Sequence, residues 1–201
     1  MARRYVAISG SPSATSRSAL LADTLLDRLP DGCEGTHLRL STLDPAALIS
    51  ADWRDPGIAA AVEAVSQAHG VILVTPVYKA AYSGVLKCFL DLLDQFAFAG
   101  KAVLPLATGG SLAHALAIDY GLRPVLQSMG ARHVVQGVMV LSDHLETTPA
   151  GGLVINEQAE RLLAPAMKHF LSAGSDDPAL SLMGHPDPAR LHPPAAPALK
   201  V

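Results

Sequence analysis

Ten consecutive residues, Ser9-Gly10-Ser11-Pro12-Ser13-Ala14-Thr15-Ser16-Arg17-Ser18, carry five serine hydroxyls, one threonine hydroxyl and one guanidinium just ahead of a helical pattern. Hydroxyls, the free N–H groups of a first helical turn and the positive end of the helix dipole together suit a phosphate monoester. Arg17 adds a charge-assisted hydrogen bond. The run is neither a P-loop, which needs Gly-x4-Gly-Lys-Ser/Thr, nor the Gly-x-Gly-x-x-Gly dinucleotide turn. A second segment, Thr75-Pro76-Val77-Tyr78-Lys79, continues through Ala80-Ala81-Tyr82-Ser83-Gly84 and sets an aromatic ring and exposed amides at the end of an apolar run. Such a strand end can support the edge of a flat ligand. A third, Thr108-Gly109-Gly110-Ser111, offers two glycines over which a ligand can approach the backbone with no Cβ between. Each segment also has a plainer reading. These are a Ser-rich loop before a capped helix, a proline turn with Tyr78 packed as core, and a flexible strand-to-helix turn.

The elements that would hold these loops alternate. Residues 5–9, 36–40, 71–75, 102–107 and 134–140 read as strands, the third and fourth as continuous apolar runs of the kind buried on both faces of a parallel sheet. Residues 16–29, 55–68, 83–93, 111–128 and 153–171 read as helices, with Ile58, Val62 and Val65 on one face of the second and Ser83 as N-cap of the third. Five strand–helix repeats predict an α/β, flavodoxin-like, doubly wound five-stranded parallel sheet of order 2-1-3-4-5 with helices on both faces. In such a sheet ligands bind beyond the carboxyl ends of the strands, where strand order reverses. That rule brings the loops after the first, third and fourth strands together. A phosphate cradle beside a glycine platform suits a mononucleotide such as FMN.

Composition narrows the classes. Half of the 201 residues are hydrophobic and 16% are charged, which excludes disorder of the whole chain. Residues 1–173 read as one domain, and 174–201, with six prolines between Pro178 and Pro197, as a proline-rich tail. A net charge of −3 leaves no basic field for nucleic acid and none of the strong acidity of an electron carrier. The longest run without Asp, Glu, Lys or Arg, residues 102–118, is broken by Pro105, Thr108, Gly109 and Gly110, so no membrane span is expected. With too short an apolar start for a signal peptide, the reading is a cytoplasmic protein. Cys33 and Cys88 form no metal spacing and no disulfide framework.

No nucleophile elbow and no His–carboxylate cluster lies on the three loops, and His114 and Asp119 are five apart on one helix. A flavin reductase needs no such apparatus, since hydride passes directly from nicotinamide to flavin; no catalytic side chain is assigned. Pro124 removes the bond to the Tyr120 carbonyl, and Gly121 lies between, which predicts a kink or π-type bulge at Tyr120. A Pro-kinked core helix is the alternative.

The runs Ser9–Pro12 with Ser16–Ser18, Thr75–Gly84, and Gly100-Lys101 through Thr108-Gly109-Gly110 to Ala113-His114 resemble the NADPH-dependent FMN reductase family. The likeness spans roughly residues 4–140 and is strongest to the FMN reductase component of two-component alkanesulfonate monooxygenase systems. It implies reduction of FMN by NADPH or NADH and release of reduced FMN to a partner flavin-dependent monooxygenase that desulfonates organosulfonates, a step of sulfur assimilation. It implies a homo-oligomer, a tetramer or dimer of dimers. The cofactor-binding residues it implies are Ser9, Ser11, Ser16, Arg17 and Ser18, with the phosphate on the last four. Pro76, Val77, Tyr78, Lys79, Thr108, Gly109 and Gly110 would line the isoalloxazine ring. Tyr120 would sit in a π-type insertion at the oligomer interface and act in flavin release; no metal is implied. Two other readings stay open: an FMN-bound quinone or azo reductase, and a non-catalytic flavodoxin-like electron carrier or flavin-binding module. The choice of nicotinamide is open too, with Arg54 and Arg123 the candidates for a 2′-phosphate.

Overall fold

A computed structural model describes residues 2–173; the proline-rich tail expected at 174–201 lies outside the described residues. The sheet is built from β1 (Arg3–Ser9), β2 (Cys33–Arg39), β3 (Gly70–Tyr78) and β5 (Ala102–Gly109), with the short β4 (Ala81–Tyr82) folded back on β3. Two short strands, β6 (His133–Val134) and β7 (Val138–Leu141), run parallel along the far edge of β5. The order is β2-β1-β3-β5-β6, parallel throughout apart from β4. With β6 and β7 counted as one interrupted strand, this is the expected order 2-1-3-4-5. The winding reverses between β1 and β3, so the loops after those strands open onto one crevice.

Side-chain alternation assigns the two faces. Val6, Ile8, Val71, Leu73 and Val103 enter the core shared with α2 (Pro45–Ser50), α3 (Pro56–Ser66) and α4 (Gly84–Leu90). Tyr5, Ala7, Ile72, Val74, Leu104 and Leu106 enter the core beneath α1 (Arg17–Leu26) and α6 (Glu157–Ala173). Both faces are covered, which is why β3 and β5 read as unbroken apolar runs. The Tyr5 and Phe170 rings pack with centroids 5.5 Å apart over Gly70, where a Cβ would fall 2.8 Å from Phe170 and 2.9 Å from Tyr5.

Three expected elements differ in detail. The strand expected at 134–140 is broken: between the pairs Val103↔Val134 and Leu106↔Val138, β5 advances three residues and its partner four. That is a bulge, and the Arg123 guanidinium donates to the Val134 and Val135 carbonyls there, at 3.0 and 3.2 Å. The helix expected at 111–128 is a 3-10 turn (Leu112–His114), a π-helix (Ala117–Leu122) and α5 (Arg123–Ser128). Arg123 N–H bonds back five residues to the Ile118 carbonyl, and Pro124 sits in the first turn of α5, where its missing N–H costs nothing. The bulge expected at Tyr120 is therefore present. The helix expected at 153–171 starts at Glu157, because Leu153–Ile155 is a strand, β9, paired antiparallel with β8 (Leu145–Thr147).

Candidate functional site

The first loop is held at both ends. Gly10 N–H extends the ladder to the Val74 carbonyl at 2.8 Å, and a Cβ on Gly10 would fall 2.8 Å from Leu86 Cβ, so α4 packs directly on this backbone. At the other end Ser16 caps α1, its hydroxyl accepting from Ala19 N–H at 3.1 Å. Ser11 Oγ accepts from Ser13 N–H at 3.1 Å and shapes the turn between.

Buried hydroxyls cross-link the loops. Ser83, the N-cap of α4, donates from Oγ to the Gly10 carbonyl, and its N–H donates to Thr75 Oγ1 at 2.9 Å. The first and second loops are tied together at that point. A hydrogen bond of 2.8 Å joins the Ser18 and Thr108 hydroxyls and ties the first helix to the third loop. The second loop turns back through Lys79 and Ala80, with φ of 50° and 63°, to pair Tyr78 with Ala81 and Val77 with Tyr82.

These ties leave a cleft of about 510 Å³. Of the residues singled out in the sequence, Ser11, Ser16, Arg17 and Ser18 line it with Pro76, Val77, Tyr78, Thr108, Gly109 and Gly110. Tyr78 is half exposed, not packed as core. Two of the expected residues are absent from the lining. Ser9 is buried, with its hydroxyl 2.9 Å from His37 Nε2, and Lys79 occupies the tip of the β3–β4 turn. Ser13 and Thr15 of the hydroxyl-rich first loop join the lining, and with them two hydroxyls not anticipated for this role: Ser142 and Thr147. The last two follow β7 and end β8, and the turn residues Thr148-Pro149-Ala150-Gly151-Gly152 between alternating segments are the signal that marks that hairpin.

Arg17 is the one charged side chain on the lining, and it makes no hydrogen bond or ion pair among the described residues. It stands in the first turn of α1, where backbone N–H groups are free of intrahelical partners. A guanidinium, a helix N-terminus and several hydroxyls together make an anion cradle. At Gly110 a Cβ would meet nothing within 4 Å, so no packing within the chain calls for glycine there. Open space above bare backbone suits a flat ring lying close. The residues thus fit a phosphorylated flavin. No group of His, Cys, Asp or Glu among the described residues could hold a metal ion.

Of the arginines weighed for a 2′-phosphate, Arg123 is engaged by Asp119 at 2.9 Å and by the bulge carbonyls, and Arg54 lies off the cleft lining. Beside the cleft, a hollow of about 390 Å³ is lined by Ala80, His114, Leu116 and Tyr120. Another of about 570 Å³ lies away from the carboxyl ends of the strands, along α6 beside the turn that follows α1, where Arg28 is already paired with Glu160 at 2.9 Å.

Known proteins resemble this chain in sequence and in fold. An FMN reductase (NADPH) of Escherichia coli (strain K12) is 45% identical over 136 residues, which is 67% of this chain and 71% of that protein. The NADH-dependent FMN reductase SfnF of Pseudomonas putida is 35% identical over 147 residues, covering 67% of this chain and 75% of its own. The crystal structure of an NADH:FMN oxidoreductase in its apo form superposes with a TM-score of 0.81 at 45% identity, covering 94% of this chain and 98% of that one. The family profile runs through the strands and loops that build the cleft, over residues 3–145, and on that match the chain belongs to the NADPH-dependent FMN reductase family.

Proposed function

We propose that the chain reduces FMN with NAD(P)H at this cleft and releases the reduced flavin to a partner monooxygenase that desulfonates organosulfonates. Family membership supports the first part, NAD(P)H-dependent reduction of FMN. The observation that carries the assignment to this cleft is the convergence of all three loops around the unpaired Arg17. On this reading Ser11, Ser16, Arg17 and Ser18 hold the phosphate, with Ser13 and Thr15 beside them. Pro76 to Tyr78 and Thr108 to Gly110 lie along the ring, with Lys79 at its margin. FMN supplies, when bound, a ring that accepts hydride from a nicotinamide and passes electrons onward. The chain's own part is to bind, to orient and to leave one ring face open, and no side-chain acid or base is required of it.

Release to a partner fits the rim, where Ser13, Tyr78 and Thr147 are exposed. A homo-oligomer fits the exposed apolar row Leu112, Leu116 and Tyr120, which a second copy would cover. Cys33 and Cys88 are both free thiols, which accords with a reducing compartment such as the cytoplasm. No described helix is long and apolar enough to cross a membrane.

The test is oxidation of NADPH and of NADH by the purified protein at increasing FMN. The rate should rise and saturate with added FMN, and reduced flavin should pass a dialysis membrane to an acceptor on the far side. Yellow protein whose turnover ignores free FMN and saturates with a quinone would overturn the supply role.

A further inference from the structure

Ser18 is the second residue of α1 and Thr108 the next-to-last of β5, ninety positions apart, and their hydroxyls meet at 2.8 Å in a buried site. No strand ladder joins the two regions directly, because β3 lies between β1 and β5. The bond therefore reaches across the end of β3, where Pro76 is in register with Thr108. On one side stands the anion cradle around Arg17, and on the other the open backbone at Gly110, next to Gly109, which packs on Met139.

A ligand with a phosphate at one end and a ring at the other must seat both at once. The gain from the second contact depends on how well the spacing of the two subsites matches the ligand. A mismatch penalises a ligand that uses both subsites and leaves a ligand that uses only the ring platform untouched. We propose that the Ser18–Thr108 hydrogen bond fixes this spacing, so that Thr108 is a positioning residue that selects FMN over unphosphorylated riboflavin. The inference rests on the reading of the cleft as an FMN site. It gives the Thr108 hydroxyl a role through Ser18, apart from any contact of its backbone with the ring.

Thr108→Val keeps the branched shape and removes the hydroxyl, leaving Ser18 buried without its partner and free to turn. Flavin binding is measured by quenching of flavin fluorescence for the full chain, its Thr108→Val variant and a Thr108→Ser variant that restores the hydroxyl. The expected result is FMN affinity weakened about tenfold more than riboflavin affinity in Thr108→Val, and the parent's preference for FMN recovered in Thr108→Ser. Equal weakening toward both flavins would mean that Thr108 acts on the ring directly and would overturn the proposal. An unchanged preference would overturn it as well. A parent protein that binds neither flavin would instead overturn the functional reading, and the inference with it.

Discussion

His37 Nε2 lies 2.9 Å from the Ser9 hydroxyl and His37 Nδ1 lies 2.6 Å from Asp23 Oδ1, so β1, β2 and α1 meet at one imidazole. Arg39 pairs with the other oxygen of Asp23. Serine, histidine and aspartate in this order form the sequence of contacts of a hydrolytic triad. Ser9 is only 2% exposed, however, so no substrate reaches it and the group acts as a strut beneath the first loop. Burial lowers the His37 pKa below its ordinary 6.5 and outweighs the hydrogen bond and charge of Asp23, which pull it up. At neutral pH the ring is uncharged, donating from Nδ1 to Asp23 and accepting at Nε2 from Ser9.

That neutral ring makes stability depend on pH. The folded-state pKa of His37 is below the unfolded one, so the unfolded chain takes up the proton more readily. Its contribution is complete above about pH 6.5 and drains away as pH falls through the folded-state value. Thermal unfolding followed between about pH 7.5 and 5.5 should show a falling Tm. His37→Gln, which keeps polar atoms without titrating, should lower Tm overall but flatten that slope. Parallel slopes in parent and variant would remove His37 from the acid response.

Arg17→Ala tests the anion cradle. The guanidinium has no partner among the described residues, so its removal breaks nothing within the chain and the fold should keep its Tm. A charged hydrogen bond to phosphate is worth about 1.5–3 kcal/mol, which is roughly a tenfold to hundredfold weaker Kd for FMN. Riboflavin titrations should be unaffected. Superimposable FMN titrations of variant and parent would reject Arg17 as a phosphate ligand.

Ala80 has a φ of 63° in a turn that follows Lys79 at 50°, a left-handed pair in which neither residue is glycine. For L residues that conformation costs about 1–2 kcal/mol each, and glycine adopts it freely. Ala80→Gly is expected to stabilise the chain by about 1 kcal/mol after the entropy of the unfolded glycine is set against the relief. The measurement is the urea midpoint at constant m; a lower midpoint would show that the turn carries no such strain.

The same turn shows where sequence reading stops. β3 is legible because both its faces are covered and its residues form one apolar run, and the order of the sheet follows from the strand–helix alternation. β4 is two residues long and its turn lacks the Asn-Gly signal of a tight hairpin, so nothing local marks it. α2 has its cap in the sequence, Asp44 accepting from Ala47 N–H at 2.7 Å, but six residues are too few for a helical period. The cleft is legible through its hydroxyls and glycines, because loops at adjacent strand ends of a doubly wound sheet converge; ten of the twelve expected residues line it. Ser9 misses the lining because strand alternation turns its side chain toward His37, a contact between neighbouring strands that no local pattern announces. The pairing of Ser18 with Thr108 likewise depends on tertiary proximity and has no sequence period to reveal it.

Tyr120 is 79% exposed on the π-helix, with Leu112 and Leu116 nearby on the preceding turn, also exposed. A π-turn widens the helix by one residue and is sustained here by Pro124, which cannot donate to the Tyr120 carbonyl, and by Arg123, held to Asp119 and the bulge. An aromatic ring displayed on a π-turn and lining the hollow with Ala80 and His114 fits a contact between copies beside the cleft. Tyr120→Ala removes the ring and leaves the backbone device in place. Sedimentation should show smaller assemblies or weaker association, and stopped-flow release of flavin should slow, with more flavin retained on purification. Unchanged sedimentation together with unchanged release would take Tyr120 out of both assembly and flavin exchange, leaving the π-turn as a consequence of Pro124 alone.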